Sequence, residues 1–353
     1  MFQEKPCDKF SENIVAEGFN EMYVCQDLIK YSFNFKNNFM TSRYVFYLLV
    51  IVAMSSCAVL NKQEKTSVQT LAKAMNTGAD LPADFAKQYY DIAFENLQLT
   101  VSFITNPADK VQQLKQLDTT RREADSVIKL YASGFGILKK YADLILALTD
   151  TSFLNAFNRE KDAFVPAFDS LIVKYNTYYP SNKLPVTSLG SFAGKVLEEI
   201  GSRRIRYLQR KYLKELVQNA DSVVANICSQ YKTLDFYIKS KQLKSLDKDI
   251  DANYNDFVKT MNDQGRKDAY NYYQFYDPIY LKWRNKISVL RQFNQQTVEA
   301  MGKIIISHKK LLLGLEKKQT FKDLFIAIKD LYGSVNSLKE SYSKFEKDFK
   351  PKN

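Results

Sequence analysis

The sequence predicts an all-α protein, an elongated bundle of long antiparallel helices. Apolar residues recur three and four positions apart over very long stretches, which is one face of a helix. The 353 residues contain only 11 Gly and 8 Pro, so turns are few and segments long. That disfavours a sandwich or barrel, which needs a turn every ~8–12 residues. No stretch shows strand-like alternation bounded by turn residues. Hydrophobic residues make up 45% and charged residues 25% of the chain, enough apolar surface to offset the entropy of ordering it.

Residues 1–39 are polar and carry Glu12, Glu17 and Glu21. They read as an upstream extension, with translation beginning at Met40, or as a disordered cytoplasmic tail. Residues 40–57 are MTSRYVFYLLVIVAMSSC: one cation, Arg43, then an uncharged apolar run from Tyr44 to Ala53, then small residues before Cys57. The run is well short of the ~20 residues that span a bilayer as a helix. This arrangement resembles a bacterial lipoprotein signal peptide with its lipobox. The resemblance covers 40–57 and departs from the family at Met54, where Leu is usual. It implies that Ser55 and Ser56 precede the cleavage point, that Cys57 becomes the first residue, and that its sulfur carries diacylglycerol. A transmembrane anchor from Tyr44 to Leu60 and a buried core helix are the alternatives. The removed part would carry one more acidic than basic residue, so the rest is more basic than the whole chain at +12. Neither an Asp directly after Cys57 nor an acidic cluster follows. This favours a bacterial envelope protein on the outer membrane, facing the periplasm. Residues 57–66 read as a polar tether.

The first helical segment is expected over 67–178. Pro82 suits a first helical turn, and Phe85, Tyr89, Ile92, Ala93, Leu97 and Leu99 continue the pattern towards Thr105. Asn106-Pro107 breaks it. The next long helix carries Val127, Leu130, Tyr131, Gly134, Leu138, Tyr141, Ile145 and Leu148 to Thr149. A further helix from about Leu154 contains Pro166, which should kink or split it. The loop is placed at 179–187, within the run from Tyr178 to Pro185. The second segment, 188–347, starts from a cap at Ser188 or Ser191 and runs through Val196, Leu208, Leu216 and Val223 towards Phe236. The charged stretch Lys239 to Asp251 is the place for a bend or break, and Gln264-Gly265 for a turn. Pro278 is expected to start a helix ended by Lys317 to Thr320, with Thr320 capping the last one. Residues 348–353 form a tail. Six to eight helices result, all in one bundle.

Chemistry is sparse. The lone His308 sits in SHKK and reads as a structural or solvated residue near a helix end. One His cannot build a di-iron ExxH pair, and no phosphate-binding, zinc-protease or nucleophile-elbow motif occurs. No catalytic residue, metal ligand or cofactor is therefore assigned, and the protein reads as non-enzymatic. Cys228 would be the last free cysteine after cleavage at Cys57, a buried thiol. Gly134 and Gly136 read as close helix contacts rather than a phosphate loop. Arg203, Arg206, Arg210 and Lys214 recur along one stripe and are the candidate surface for an anionic partner, against the plainer reading of a solvated face. In an envelope such a partner is anionic lipid or lipopolysaccharide, or another envelope protein, and not nucleic acid. The aromatic stretch Tyr270 to Trp283 reads as helix packing with hydroxyls at the rim. The function expected is a lipid-anchored helical scaffold or binding module. The alternative is a pore-forming protein that exposes the apolar segment Gly134–Leu148.

Overall fold

The chain divides into two compact units, Met1–Cys57 and Ala58–Asn353. The computed structural model describes residues 60–104, 106–149, 161–180, 183–184, 195, 205–263, 269–316 and 321–349, all in the second unit. Ser55, Ser56 and Cys57 lie outside them, as do Arg203, the caps at Ser188 and Ser191, the Gln264-Gly265 turn and Thr320.

The described elements are helices that pack on one another, the all-α bundle the periodicity predicts. In chain order they are α1 (Lys62–Gly78), α2 (Leu81–Ser102), α3 (Pro107–Thr149), α4 (Lys161–Tyr178), α5 (Ile205–Gln230), α6 (Phe236–Asp263), α7 (Ala269–Leu315) and α8 (Phe321–Phe349). A π-helical turn, Tyr231–Asp235, joins α5 to α6 without a break. With 47 residues, α7 is about 70 Å long.

The contacts define two ends. At the base, α1, α5 and α8 begin and α3 and α7 finish. There Gln69 Nε2 donates to the Thr149 carbonyl at 2.7 Å, and Gln209 Nε2 donates to the Leu148 carbonyl. Phe321 packs on Gly314, where a Cβ would meet its ring at 3.3 Å. At the tip, Phe103 at the end of α2 packs on Phe257 of α6 and Tyr276 of α7, ring centroids 5.2 and 5.5 Å away.

Two hydrophobic cores lie between these ends. The base core joins α1, α3, α4, α5, the second half of α7 and the first half of α8, with Leu71, Leu138, Ile145, Leu216, Ile304 and Leu331 fully buried. The tip core joins α2, α6, the first half of α7 and the end of α8 through Phe85, Ile92, Leu246, Trp283, Ile287 and Phe293. Gly134 and Gly136 let α3 approach α4: a Cβ there would lie 3.5 Å from Tyr175 and 3.3 Å from Leu171.

Several boundaries differ from the sequence expectation. Residues 62–66 are not tether but the first turn of α1. Asn61 accepts from the Glu64 N–H at 2.7 Å and Glu64 accepts from the Asn61 N–H at 3.1 Å, a capping box that starts the helix early. Pro278 lies inside α7 rather than at its start. It is exposed, so water can satisfy the carbonyl it leaves unbonded, and the turn is held from both sides: Tyr254 donates to Asp277 and Tyr280 to Asp251. Pro166 likewise lies on the exposed face of a continuous α4. No break falls between Lys239 and Asp251; the irregularity is the π turn just before it. The last helix runs to Phe349, two residues into the expected tail. Within the loop, Asn176 clamps Leu184 with both amide atoms, donating to its carbonyl at 2.9 Å and accepting from its N–H at 2.6 Å.

Candidate functional site

The base gathers the basic side chains that the sequence singles out on α5, as far as they are described. Arg210 reaches across to α1. Its Nη1 lies 3.2 Å from Glu64 Oε1, and both side chains are mostly buried. The guanidinium also sits 5.8 Å from the Phe321 ring centroid at the start of α8. Arg210 is therefore not a free surface cation: Glu64 occupies it. This follows from the capping box, which turns the Glu64 carboxylate towards α5. Lys214 is half-buried, and Lys211 is exposed, 4.0 Å from Glu215 one turn on. The backbone of Arg206 lies in the first turn of α5. Lys62 in α1 and Lys322 in α8 are exposed at the same end. The stripe thus splits into an inner pin, Arg210, and an outer set of lysines spread over α1, α5 and α8. Sequence periodicity on α5 alone points to the first and misses that the second spans three helices.

His308 is buried two turns inside α7, the structural rather than the solvated of the two readings. Its Nδ1 lies 3.2 Å from Asp221 Oδ1 and its Nε2 lies 2.8 Å from the Tyr141 hydroxyl. A carboxylate only accepts, so Nδ1 carries the proton, and in the neutral ring Nε2 accepts from Tyr141. Lys309 Nζ donates to the second Asp221 oxygen at 3.1 Å. The chain Tyr141–His308–Asp221–Lys309 runs from the centre of the base core to the surface. The hydrogen bond from His308, aided by Lys309, holds the Asp221 carboxyl down at about 2 against the opposing effect of burial. Burial, with the Asp221 charge behind it, pushes Tyr141 well above the ordinary tyrosine range. Both ends of the imidazole are satisfied, and Tyr141 is sealed from solvent. The arrangement ties α3, α5 and α7 together.

Between the two cores, the Lys239 ammonium points into a ring cage. It lies 4.0 Å from the Tyr231 centroid, 4.1 Å from Tyr131 and 4.8 Å from Phe85. Lys239 is buried, and Tyr231 donates to Asn294 at 3.2 Å. The π turn beginning at Tyr231 places this ring and Lys239 on one side of the helix. Cys228, one turn earlier, is fully buried, and burial pushes its thiol up.

At the tip the aromatic stretch is mostly packing, with hydroxyls at its rim. Tyr254 and Tyr280 stack at 4.2 Å, and Tyr254 donates to Asp277 at 2.5 Å, which pushes its phenol up to about 12. Trp283 Nε1 donates to Glu95 at 2.8 Å, and Glu95 lies 3.6 Å from buried Lys286, whose amine burial pulls down. Arg284 bridges Asp247 and Asp251. Tyr270 and Phe275 are exposed.

Among the described residues no group of three His, Cys, Asp or Glu side chains is placed to hold a metal ion, and no helix is long and apolar enough to cross a membrane. The segment Gly134–Leu148 is the most deeply buried part of α3. Between α7 and α8 lies an open groove of about 850 Å³ beside Glu299, Phe325, Lys329 and Gly333. Comparison with known proteins returned no match to a family model, a curated protein or a solved structure.

Proposed function

We propose that the protein is a lipid-anchored, non-enzymatic helical scaffold of a bacterial envelope, attached through Cys57. The observation that carries this is the sequence 40–57, an uncharged apolar run ending in Ser55-Ser56-Cys57. The folded unit supports it, because its first helix is capped at Asn61, four residues after Cys57. A chain cut before Cys57 keeps every described helix. The four residues that follow Cys57 reach at most about 14 Å when extended, so the anchor would hold the base close to the lipid. The length of α7 would carry the aromatic tip away from it, to present a surface to other envelope proteins. The basic residues of the base suit an acidic envelope partner.

The test is metabolic labelling with a fatty acid in a bacterial host, followed by fractionation. The wild-type chain is expected in the membrane fraction with label, and Cys57→Ser without it. Label retained by Cys57→Ser would remove the assignment.

A further inference from the structure

The anchored reading leaves open what the base does once it is brought to a membrane. We propose that the base is a second membrane contact, an electrostatic docking surface for the anionic headgroups of the leaflet that carries the anchor. This rests on the lipid-anchor reading for its location but not for its chemistry.

Arg210 pins the base together. Its ion pair with Glu64, 3.2 Å across, ties the start of α5 to the first turn of α1, and its approach to the Phe321 ring brings in α8. Three helix starts are therefore held at one end, and each contributes an exposed lysine: Lys62, Lys211 and Lys322. Half-buried Lys65 and Lys214 add to them. Among the described residues the carboxylates at this end are Glu64, Glu215, Glu316 and Asp323. Glu64 is consumed by Arg210, Glu316 accepts from Gln218 at 3.0 Å, and half-buried Glu215 lies 4.0 Å from exposed Lys211. Among the described residues of this end, Lys62, Lys65, Arg210, Lys211, Lys214 and Lys322 outnumber these four carboxylates, exposed Asp323 included.

Position decides the partner. The chain leaves this end towards Cys57 at Leu60, three residues away, and not at the tip. A surface charge acts over about 8 Å at physiological ionic strength, so lysines must be carried to the bilayer before they contribute, and the anchor does this. A basic patch beside a lipid anchor adds attraction to anionic headgroups. Anionic lipid satisfies the lysines without a shaped pocket, which fits flexible side chains on three helices. A nucleic acid would use the same charge but needs no anchor, and serves as the competing outcome.

The experiment uses the full chain carrying Cys57→Ser, which cannot be acylated, and vesicles of phosphatidylcholine with and without phosphatidylglycerol. Binding should require phosphatidylglycerol and fall steeply with salt. Each lysine near an anionic surface strengthens binding about five-fold. The triple variant Lys62→Gln, Lys211→Gln, Lys322→Gln should therefore bind on the order of a hundred-fold more weakly. The triple variant Lys115→Gln, Lys248→Gln, Lys259→Gln removes the same charge from exposed positions away from the base and should bind as the parent does. Equal binding to both vesicle types, equal weakening by the two triples, or tighter binding to duplex DNA than to anionic vesicles would overturn the proposal. The two readings fail separately. An unlabelled wild-type chain whose Cys57→Ser form still shows this lysine pattern loses the anchor and keeps the surface. A labelled chain without the pattern keeps the anchor and loses the surface.

Discussion

The base core and the tip core are built from different materials. The base core is largely aliphatic, with one polar chain, Tyr141–His308–Asp221–Lys309, threaded through it and ending at the surface. The tip core is richer in rings, among them Phe85, Trp283, Phe293 and Phe345; it buries Lys286 beside Glu95, and at its rim tyrosine hydroxyls and arginines share Asp247, Asp251 and Asp277. One long helix, α7, serves both. Its first half presents bulky aromatics that need few neighbours to fill space. Its second half presents Met301, Ile304, Leu311 and Leu312, which need close helices, and α3 and α4 come close through Gly134 and Gly136. Lys239 marks the seam, its cage drawn from Phe85 of the tip core and Tyr131 and Tyr231 of the base core.

This contrast can be broken at either end. The largest effect is expected from Phe257→Ala. The side chain is buried against Phe103, Tyr254, Tyr273 and Tyr276, and its loss should cost about 4 kcal/mol in chemical denaturation. Hydrogen exchange should rise at the tip and stay slow in α1 and α5; uniform loss of protection would show that the two cores do not differ. At the seam, Lys239→Met keeps the volume and removes the charge from three ring faces. A loss of about 2 kcal/mol is expected, and a neutral result would mean that the cage works by packing alone. At the base, Tyr141→Phe leaves His308 Nε2 without its hydroxyl partner and should cost about 1–2 kcal/mol.

The polar chain also gives the base an acid dependence. The Asp221 carboxyl is held at about 2, below its ordinary 3.8, by His308 and then Lys309. A depressed folded value stabilises above the unfolded value and is lost as pH falls through the folded one. Its contribution is thus full above pH 4 and disappears towards pH 2. Denaturation midpoints of Asp221→Asn should fall less than the parent's across that window; identical acid limbs would contradict the assignment. The smallest effect belongs to an exposed ion pair, Arg122 with Asp118, where Asp118→Asn should stay within about 0.5 kcal/mol.

Much of the fold was legible because helical periodicity is a local signal. The faces of α3, α7 and α8, the break at Asn106-Pro107 and the glycines of α3 were all readable. The start of α1 is also legible in Asn61-x-x-Glu64, a capping signature within a polar stretch. What was not legible depends on partners far along the chain. Lys239 opens a charged stretch and reads as surface, yet rings from three helices enclose it. His308 looks solvated beside two lysines, but Tyr141 and Asp221 lie 167 and 87 positions away. Arg210 fits a basic stripe by spacing, and only the fold shows that Glu64 holds it.

The account stands on the base facing the membrane and the tip standing away from it. The most direct measurement is accessibility of a spin label to a membrane-embedded relaxation agent, in the acylated protein on anionic vesicles. Gln63→Cys labels the base and Phe275→Cys the tip; both sites are exposed, and Cys228 is buried and does not compete. The account predicts strong relaxation at Gln63→Cys and little at Phe275→Cys. Equal relaxation at the two sites, or more at Phe275→Cys, would contradict it.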